Sequence, residues 1–321
     1  MKRIVTLGGG TGTFVVLTAL RQLPRVSLTA LVSGADDGGS TGHLRDAYGF
    51  LPAGDARQAL VALAEDESTL RDLFAYRFGK GNIAGHSLGN LFLTALTDLL
   101  GSDTAAVEEA SRILRISGRV LSVTDTPATL VAHLENGEVL VGEHIIDAKE
   151  QGRSRIASVS YKESTALATG AREALLEADV IILGPGDLYT STAAALLADG
   201  AKETIAASPA LLVYIVNLFS KAGQTDGLDA SEQVAEITKY AGRAPDLILL
   251  NSTKFEPEVL ERYAEEGECP VGDTLPHTSQ VLRADLASVH VVPALPNDPV
   301  PRSLVRHDSA KLAQALGALF I

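Results

Sequence analysis

The chain has 321 residues, 46% of them hydrophobic and 21% charged, with 27 basic against 40 acidic residues and a net charge of −13. That is enough apolar material for one large domain or two ordinary ones. The acidic balance argues against binding a nucleic-acid backbone or an anionic membrane surface, both of which need clustered Lys and Arg. Cys269 is the sole cysteine, so no intrachain disulfide can form. No apolar targeting segment precedes the first strand-like run, and the expectation is a cytoplasmic protein.

The elements alternate. Arg3–Leu7 reads as a strand and Phe14–Gln22 as a helix, followed by a second strand, Leu28–Val32. Ala56–Ala64, Leu70–Phe78, Ser87–Leu100 and Glu108–Ile116 then carry helical spacing, a block longer than a simple crossover. Val120–Val123 is strand-like. Thr129–Leu134 and Glu138–Val141 form a hairpin around Asn136-Gly137, since Asn-Gly tolerates the backbone such a turn demands, and Arg155–Tyr161 extends it. A second alternating run comprises strands Asp179–Leu183, Leu211–Val216, Leu247–Leu250 and Val289–Val292, with helices Thr192–Leu197, Ser231–Ala241, Pro257–Glu266 and Ser309–Leu319. Short apolar strands between helices predict an α/β, Rossmann-like fold with a mainly parallel sheet covered by helices. The expected organisation is a single domain over residues 1–321 with an inserted helical and β-hairpin part at about 55–165.

Three glycine-rich corners follow predicted strands. Gly8-Gly9-Gly10-Thr11-Gly12-Thr13 resembles a dinucleotide fingerprint but has Thr13 at the last glycine, and no P-loop Lys follows. Backbone without β-carbons, backed by a helix start, still suits an anion, and Gly9, Gly10, Thr11 and Gly12 are the candidates. The second corner holds Asp36, Asp37, Gly38 and Ser40; its paired acids suit a ribose, a divalent metal such as Mg2+, or simple turn capping. The third supplies Gly184, Pro185, Gly186, Tyr189, Thr190 and Ser191, for an anion or for helix capping. Between them, Asp55 opens a helix as a cap or a second metal or substrate carboxylate, and Arg57 could fork onto a phosphate. His86, Ser87 and Asn90 open another helix. Ser87 reads as its cap, His86 and Asn90 as ligand hydrogen-bonders, and adjacent His and Ser make a poor hydrolase pair. Arg45-Asp46 reads as a surface ion pair, and His133 and His290 as structural.

These corners, with Leu51-Pro52-Ala53-Gly54-Asp55-Ala56-Arg57, Tyr76-Arg77-Phe78 and Gly85-His86-Ser87-Leu88-Gly89-Asn90 in fixed order, resemble the bacterial gluconeogenesis-factor family over nearly the whole chain. That family is linked to cell shape and peptidoglycan synthesis during growth on gluconeogenic carbon sources, and is similar in fold to 2-phospho-L-lactate transferases. The resemblance implies binding of a UDP-sugar such as UDP-N-acetylglucosamine, a sensor role, a protein partner in cell-wall synthesis and a homo-oligomer. In the related transferases Mg2+ assists, and their metal-holding acids map onto Asp37 and Asp55. Asn217 is kept from a family pattern, and Tyr263 and Arg306 stand where the family places an aromatic and an arginine; Asn217 or Tyr263 is expected to contact base or sugar, and Arg306 to meet the diphosphate or form a surface salt bridge. The chain departs from the family's Asn-x-Met-Thr-Gln-Pro-Gly-Glu-Thr pattern at 217–225, where Lys221 adds a charge and Gln224 replaces an acid. The expected function is therefore a nucleotide-sugar-binding regulator. The alternatives are an Mg2+-dependent transferase on a nucleotide-diphosphate donor, a nicotinamide-dependent oxidoreductase, which the altered glycine spacing disfavours, and an adaptor with a vestigial pocket.

Overall fold

The structure is a computed structural model; it describes residues 1–37, 40–42, 44, 50–64, 69–289 and 304–320. Gly38, Gly39, His43, Arg45, Asp46 and His290 lie outside these residues, as does the strand expected at 289–292 beyond Val289.

The chain opens with β1 (Lys2–Leu7), α1 (Gly10–Leu20) and β2 (Val26–Val32). A helical block follows: α2 (Ala53–Leu63), α3 (Thr69–Ala75), α4 (Leu88–Leu100) and α5 (Asp103–Leu114). It returns through β3 (Arg119–Ser122). Then come β4 (Leu130–Leu134), β5 (Val139–Val141), the five-residue α6 (Glu143–Asp147) and β6 (Ile156–Tyr161). The second half runs α7 (Thr169–Glu177), β7 (Val180–Leu183), α8 (Ala201–Ala207), β8 (Leu211–Ile215), α9 (Ala230–Ala241), β9 (Leu247–Asn251), α10 (Pro257–Glu265), β10 (Val281–Ala284) and α11 (Ser309–Phe320).

Seven strands form one sheet in the order β10-β9-β8-β7-β1-β2-β3, and every pairing in it is parallel. The expected mainly parallel α/β sheet is present. The strands read as unbroken apolar runs because both faces are covered. In β1, Ile4 faces one core and Val5 the other; in β7, Ile182 and Ile181 divide the same way. On one side Ile4 and Ile182 pack with α1, α2 and α11 through Leu17, Leu60 and Leu312. On the other, Val5 and Ile181 join Leu130 and Ile156 of the small sheet, and Leu175 of α7. The small sheet is antiparallel, β5-β4-β6, with the predicted hairpin closed at Gly137, whose φ is +89°.

Five differences from the sequence reading matter. α6, α7, α8 and β10 escape it because each is short or mixed in polarity. The helix expected at Thr192–Leu197 is instead a π-helical turn, Leu188–Ala193, followed by a single 3-10 turn, Ala194–Leu196. The Asp187 carbonyl accepts from both Ser191 N and Thr192 N at 3.0 Å, which widens the turn.

Topology places the site. β1 lies between β2 and β7, so the chain leaves it first in one direction and later in the other. In open α/β sheets the crevice beyond the strand carboxyl ends at such a reversal is where ligands bind. The first and third corners meet there. A β-carbon on Gly12 would stand 1.9 Å from the Pro185 carbonyl oxygen, a backbone atom that cannot swing away. Gly12→Ala is therefore expected to destabilise the fold by roughly 2 kcal/mol or more through overpacking. A lower urea midpoint at unchanged slope would check this.

Candidate functional site

The crevice is a cavity of about 510 Å³, within the range of small-molecule sites. Gly9, Gly10, Thr11 and Gly12 of the first corner line it, as do Asp36 and Ser40 of the second and Pro185, Gly186, Thr190 and Ser191 of the third. Asp55, Arg57, Asn90, Asn217, Tyr263 and Arg306 complete the expected residues that face it.

The first corner is built around a carboxylate. α1 starts at Gly10 with no side-chain cap from Gly9, and Asp55 Oδ1 accepts from Gly10 N at 2.7 Å instead. A β-carbon on Gly9 would sit 2.0 Å from Asp55 Oδ2, so this approach requires glycine. Asp55 thus occupies the position at a helix N-terminus where an anion gains most. Burial, with repulsion from Asp36, pushes its carboxyl up to about 7 from 3.8, against the Gly10 hydrogen bond and the Arg57 charge. At the third corner, Gly186 N donates to Asn217 Oδ1 at 3.1 Å. Both strand ends therefore aim N–H groups inward, and each holds a protein oxygen.

A polar network supports the second corner. Asn90 Nδ2 donates to Ser40 Oγ and Thr41 Oγ1 at 3.3 Å, and Asn90 Oδ1 accepts from Arg57 Nε at 2.9 Å. His86 Nδ1 lies 3.0 Å from Ser40 Oγ.

Five expected residues do not line the cavity. Asp37 turns away: its carboxylate accepts from Glu143 N at 3.2 Å and His144 N at 2.8 Å, and pairs with His144 Nδ1 at 2.9 Å, closing the start of α6. Adjacent residues present opposite directions, so only Asp36 of the pair faces inward. Ser87 is buried and caps α4, accepting from Asn90 N at 3.2 Å. His86 acts through Ser40. Gly184 is a packing position, its virtual β-carbon 3.0 Å from the Ile215 carbonyl oxygen. Tyr189 is 2% exposed and donates to the Ile156 carbonyl at 3.4 Å beneath the small sheet, because the π-helical turn directs it into the core. Tyr263 lines the cavity with one ring face stacked on Phe219 at 3.6 Å and 8°. Its hydroxyl accepts from Val305 N at 3.0 Å, which holds the segment carrying Arg306.

Both Asp37 oxygens are thus engaged at the start of α6 and only Asp55 of the pair lines the cavity, and among the described residues no group of three His, Cys, Asp or Glu side chains is placed to hold a metal. The pair that the resemblance assigns to Mg2+ does not fit that role in this arrangement, because Asp37 is engaged by α6.

Residues missed in the sequence bring the rest of the chemistry. Glu143, His144 and Asp147 of α6 line the cavity, with Lys149 and Lys221. Lys221 Nζ pairs with Asp147, and with Asp187 Oδ2 at 2.7 Å. Burial opposes both charges, but the pairing wins: Lys221 is held above its ordinary range by Asp187 and Asp147, and Asp147 below its own by Lys221. Lys149 pairs with Glu266 and, at 2.9 Å, with Glu268. No motif announces Glu143, His144, Asp147 or Lys149; only Gly142, with φ +105°, punctuates the hairpin end before α6.

The lining carries Arg57, Arg77, Lys149, Lys221 and Arg306 against Asp36, Asp55, Glu143, Asp147, Asp187 and Glu268. Signs nearly cancel, so anion binding here depends on local donors rather than on overall field.

A family model, 2-phospho-L-lactate transferase CofD, matches residues 4–290. The chain belongs to this family. It is 38% identical over 317 residues to the gluconeogenesis factor of Halalkalibacterium halodurans, covering 98% of this chain and 95% of that one. It is 36% identical over 320 residues to the gluconeogenesis factor of Bacillus subtilis (strain 168), covering 98% and 96%. A crystal structure of a Bacillus halodurans protein, 34% identical, superposes with a TM-score of 0.88 over 98% of this chain and 99% of that chain. Among the described residues, no helix is long and apolar enough to cross a membrane.

The Asp55 environment has a measurable consequence. The folded protein retains a proton on Asp55 that the unfolded chain has released, so its contribution to stability falls as pH rises from 3.8 to about 7. Asp55→Asn keeps an acceptor for Gly10 N and removes the charge. The variant is expected to gain stability over the parent at pH 8 and to lose that advantage near pH ~4.5, below most of this window. Urea unfolding of both proteins at the two pH values checks it. The comparison cancels His307, which burial depresses to about 4 in both and which acts in the opposite sense, destabilising as pH falls.

Proposed function

We propose that this chain is a nucleotide-sugar-binding regulator whose ligand is UDP-N-acetylglucosamine or a close relative, acting in cell-shape control and peptidoglycan synthesis during gluconeogenic growth. The observation that carries the reading is the convergence on one cavity of the glycine corners from the ends of β1 and β7 with Asp36 and Ser40 from beyond β2, with Arg57 and Arg306 beside them. Backbone N–H groups at a helix start, backed by a guanidinium, are the usual means of holding a diphosphate. The relatives named gluconeogenesis factor support the link to gluconeogenic growth. A protein partner in cell-wall synthesis and a homo-oligomer are part of the same proposal, as is a cytoplasmic location.

In this reading Asp55 and Asn217 act as place-holders. A phosphate oxygen at Gly10 N or Gly186 N takes over a hydrogen bond already made inside the protein. The gain is then a difference between two acceptors, which favours a doubly charged diphosphate over a neutral ligand.

A second reading, transfer from a nucleotide-diphosphate donor to an alcohol, is favoured by the family match over residues 4–290. The two separate in one experiment. Calorimetry with UDP-N-acetylglucosamine is expected to give saturable binding, and chromatography of the same mixture to return the ligand unchanged, with or without Mg2+. Release of UDP would favour transfer, and absence of heat with any UDP-sugar would eliminate both readings for this ligand class. Replacing Arg306 by Glu is expected to weaken binding by about 1.5–3 kcal/mol, the worth of a charge-assisted contact, or roughly 10- to 100-fold in Kd.

A further inference from the structure

We propose that Glu143 is the specificity-determining residue of the cavity, and that it accepts hydrogen bonds from the hydroxyl or amide groups of the ligand's sugar. The proposal rests on the nucleotide-sugar reading and adds to it which end of the cavity takes the sugar.

Glu143 reaches the cavity from the small-sheet side, facing the corners of the large sheet. Its main chain is fixed: Glu143 N donates to Asp37 at 3.2 Å, and a β-carbon on the preceding Gly142 would lie 2.9 Å from the same carboxylate oxygen. Its side chain is free to act. Asp37 is spent on α6, Asp55 on Gly10 N, and Asp147 on Lys221, Thr190 and Gln224. The Glu143 carboxyl has no hydrogen bond or ion pair among the described residues. A half-buried carboxyl among other acids is stabilised when the bound state supplies it with a donor.

The neighbours decide the partner's chemistry. The charges acting on Glu143 most strongly are Asp36, Asp147 and Asp55, all acidic. A phosphate placed there would meet Glu143, Asp36 and Asp147, and among the described residues the cation nearest Asp147, Lys221, is already engaged by Asp147 and Asp187. A sugar ring brings hydroxyl and amide N–H donors and no charge. The cavity therefore has two ends: Gly10–Gly12, Gly186 and Arg306 for the diphosphate, and the α6 side for a neutral polyhydroxylated group.

The test compares UDP with UDP-N-acetylglucosamine by calorimetry on the parent, Glu143→Ala and Glu143→Gln. The parent is expected to bind the sugar nucleotide at least tenfold more tightly than UDP. Glu143→Ala should lose that preference, weakening the sugar nucleotide about tenfold while leaving UDP unchanged. Glu143→Gln, which keeps an acceptor oxygen, should recover part of it. Thermal melting is expected to show both variants at least as stable as the parent, because a crowding acid is removed. An alanine variant that stays folded and retains the parent's preference, or weakens both ligands equally, overturns the assignment. A parent that binds both ligands equally overturns it while leaving the nucleotide-binding reading standing. A parent that binds neither overturns both.

Discussion

The site depends on the contact between Asp55 and the start of α1. A carboxylate held 2.7 Å from Gly10 N, with its second oxygen where a Gly9 β-carbon would be, forces the β1 corner to be glycine. The same economy recurs at Gly12 against Pro185 and at Gly54, whose β-carbon would lie 2.3 Å from Asp36 Oδ2. Bare backbone is needed first so that three segments distant in sequence can close on one another. Access for a ligand is a second use of the same geometry. This close packing also explains why an acid is kept in a place that raises its pKa: the helix N-terminus offers compensation that few other buried sites could.

The short α6 ties the two sheets together. Its first turn is closed by Asp37, which follows β2, and its last residue, Asp147, is gripped by Lys221, which follows β8. Arg153, beyond α6, adds bonds to the Ile146 carbonyl at 2.8 Å and the Gly223 carbonyl at 3.3 Å. The small sheet is thereby anchored across the mouth of the large one by polar contacts, while its apolar face is anchored by Leu130, Ile156 and Val159 in the core. Partly buried ion pairs of this kind contribute modest net stability but help specify register, because breaking one partner leaves the other charge uncompensated. The cost of a wrong docking angle is what fixes Glu143 over the glycine corners.

Much of this was legible in the sequence where the signal is local. Continuous apolar strands, glycine after a strand, Asn-Gly between alternating residues and a Ser before a helix each have a mechanism confined to a few neighbours. The parallel sheet, the β4–β5 turn at Gly137 and the Ser87 cap followed from them. The residues that escaped depend on distant partners. Asp37 looked like a metal or ribose ligand, but its partner His144 is 107 positions away. Tyr189 looked like part of a binding loop, but a carbonyl shared by two N–H groups turned the helix into a π-helical one and sent the ring inward. Glu143 belongs to no motif at all; only the docking of α6 brings it to the cavity.

The two charge-changing departures at 217–225 are intelligible together. Gln224 Nε2 donates to Asp147 Oδ1 at 3.0 Å, and Lys221 Nζ pairs with the same carboxylate. An acid at 224 would put two carboxyl groups within hydrogen-bonding distance in a buried place, which forces one of them to take a proton. An amide avoids that and leaves Asp147 ionised, and an ionised Asp147 beside Asp187 needs a cation of its own, which Lys221 supplies at 2.7 Å from Asp187. The lysine and the amide therefore act together: gaining a cation and losing an acid shift the local charge in the same direction, toward balance with Asp147 and Asp187. A single reversion at either position would leave an unmatched charge against the third corner, where Thr190 shares the Asp147 carboxylate and lines the same cavity. The chain thus keeps the corner's shape while changing the means by which its charge is held.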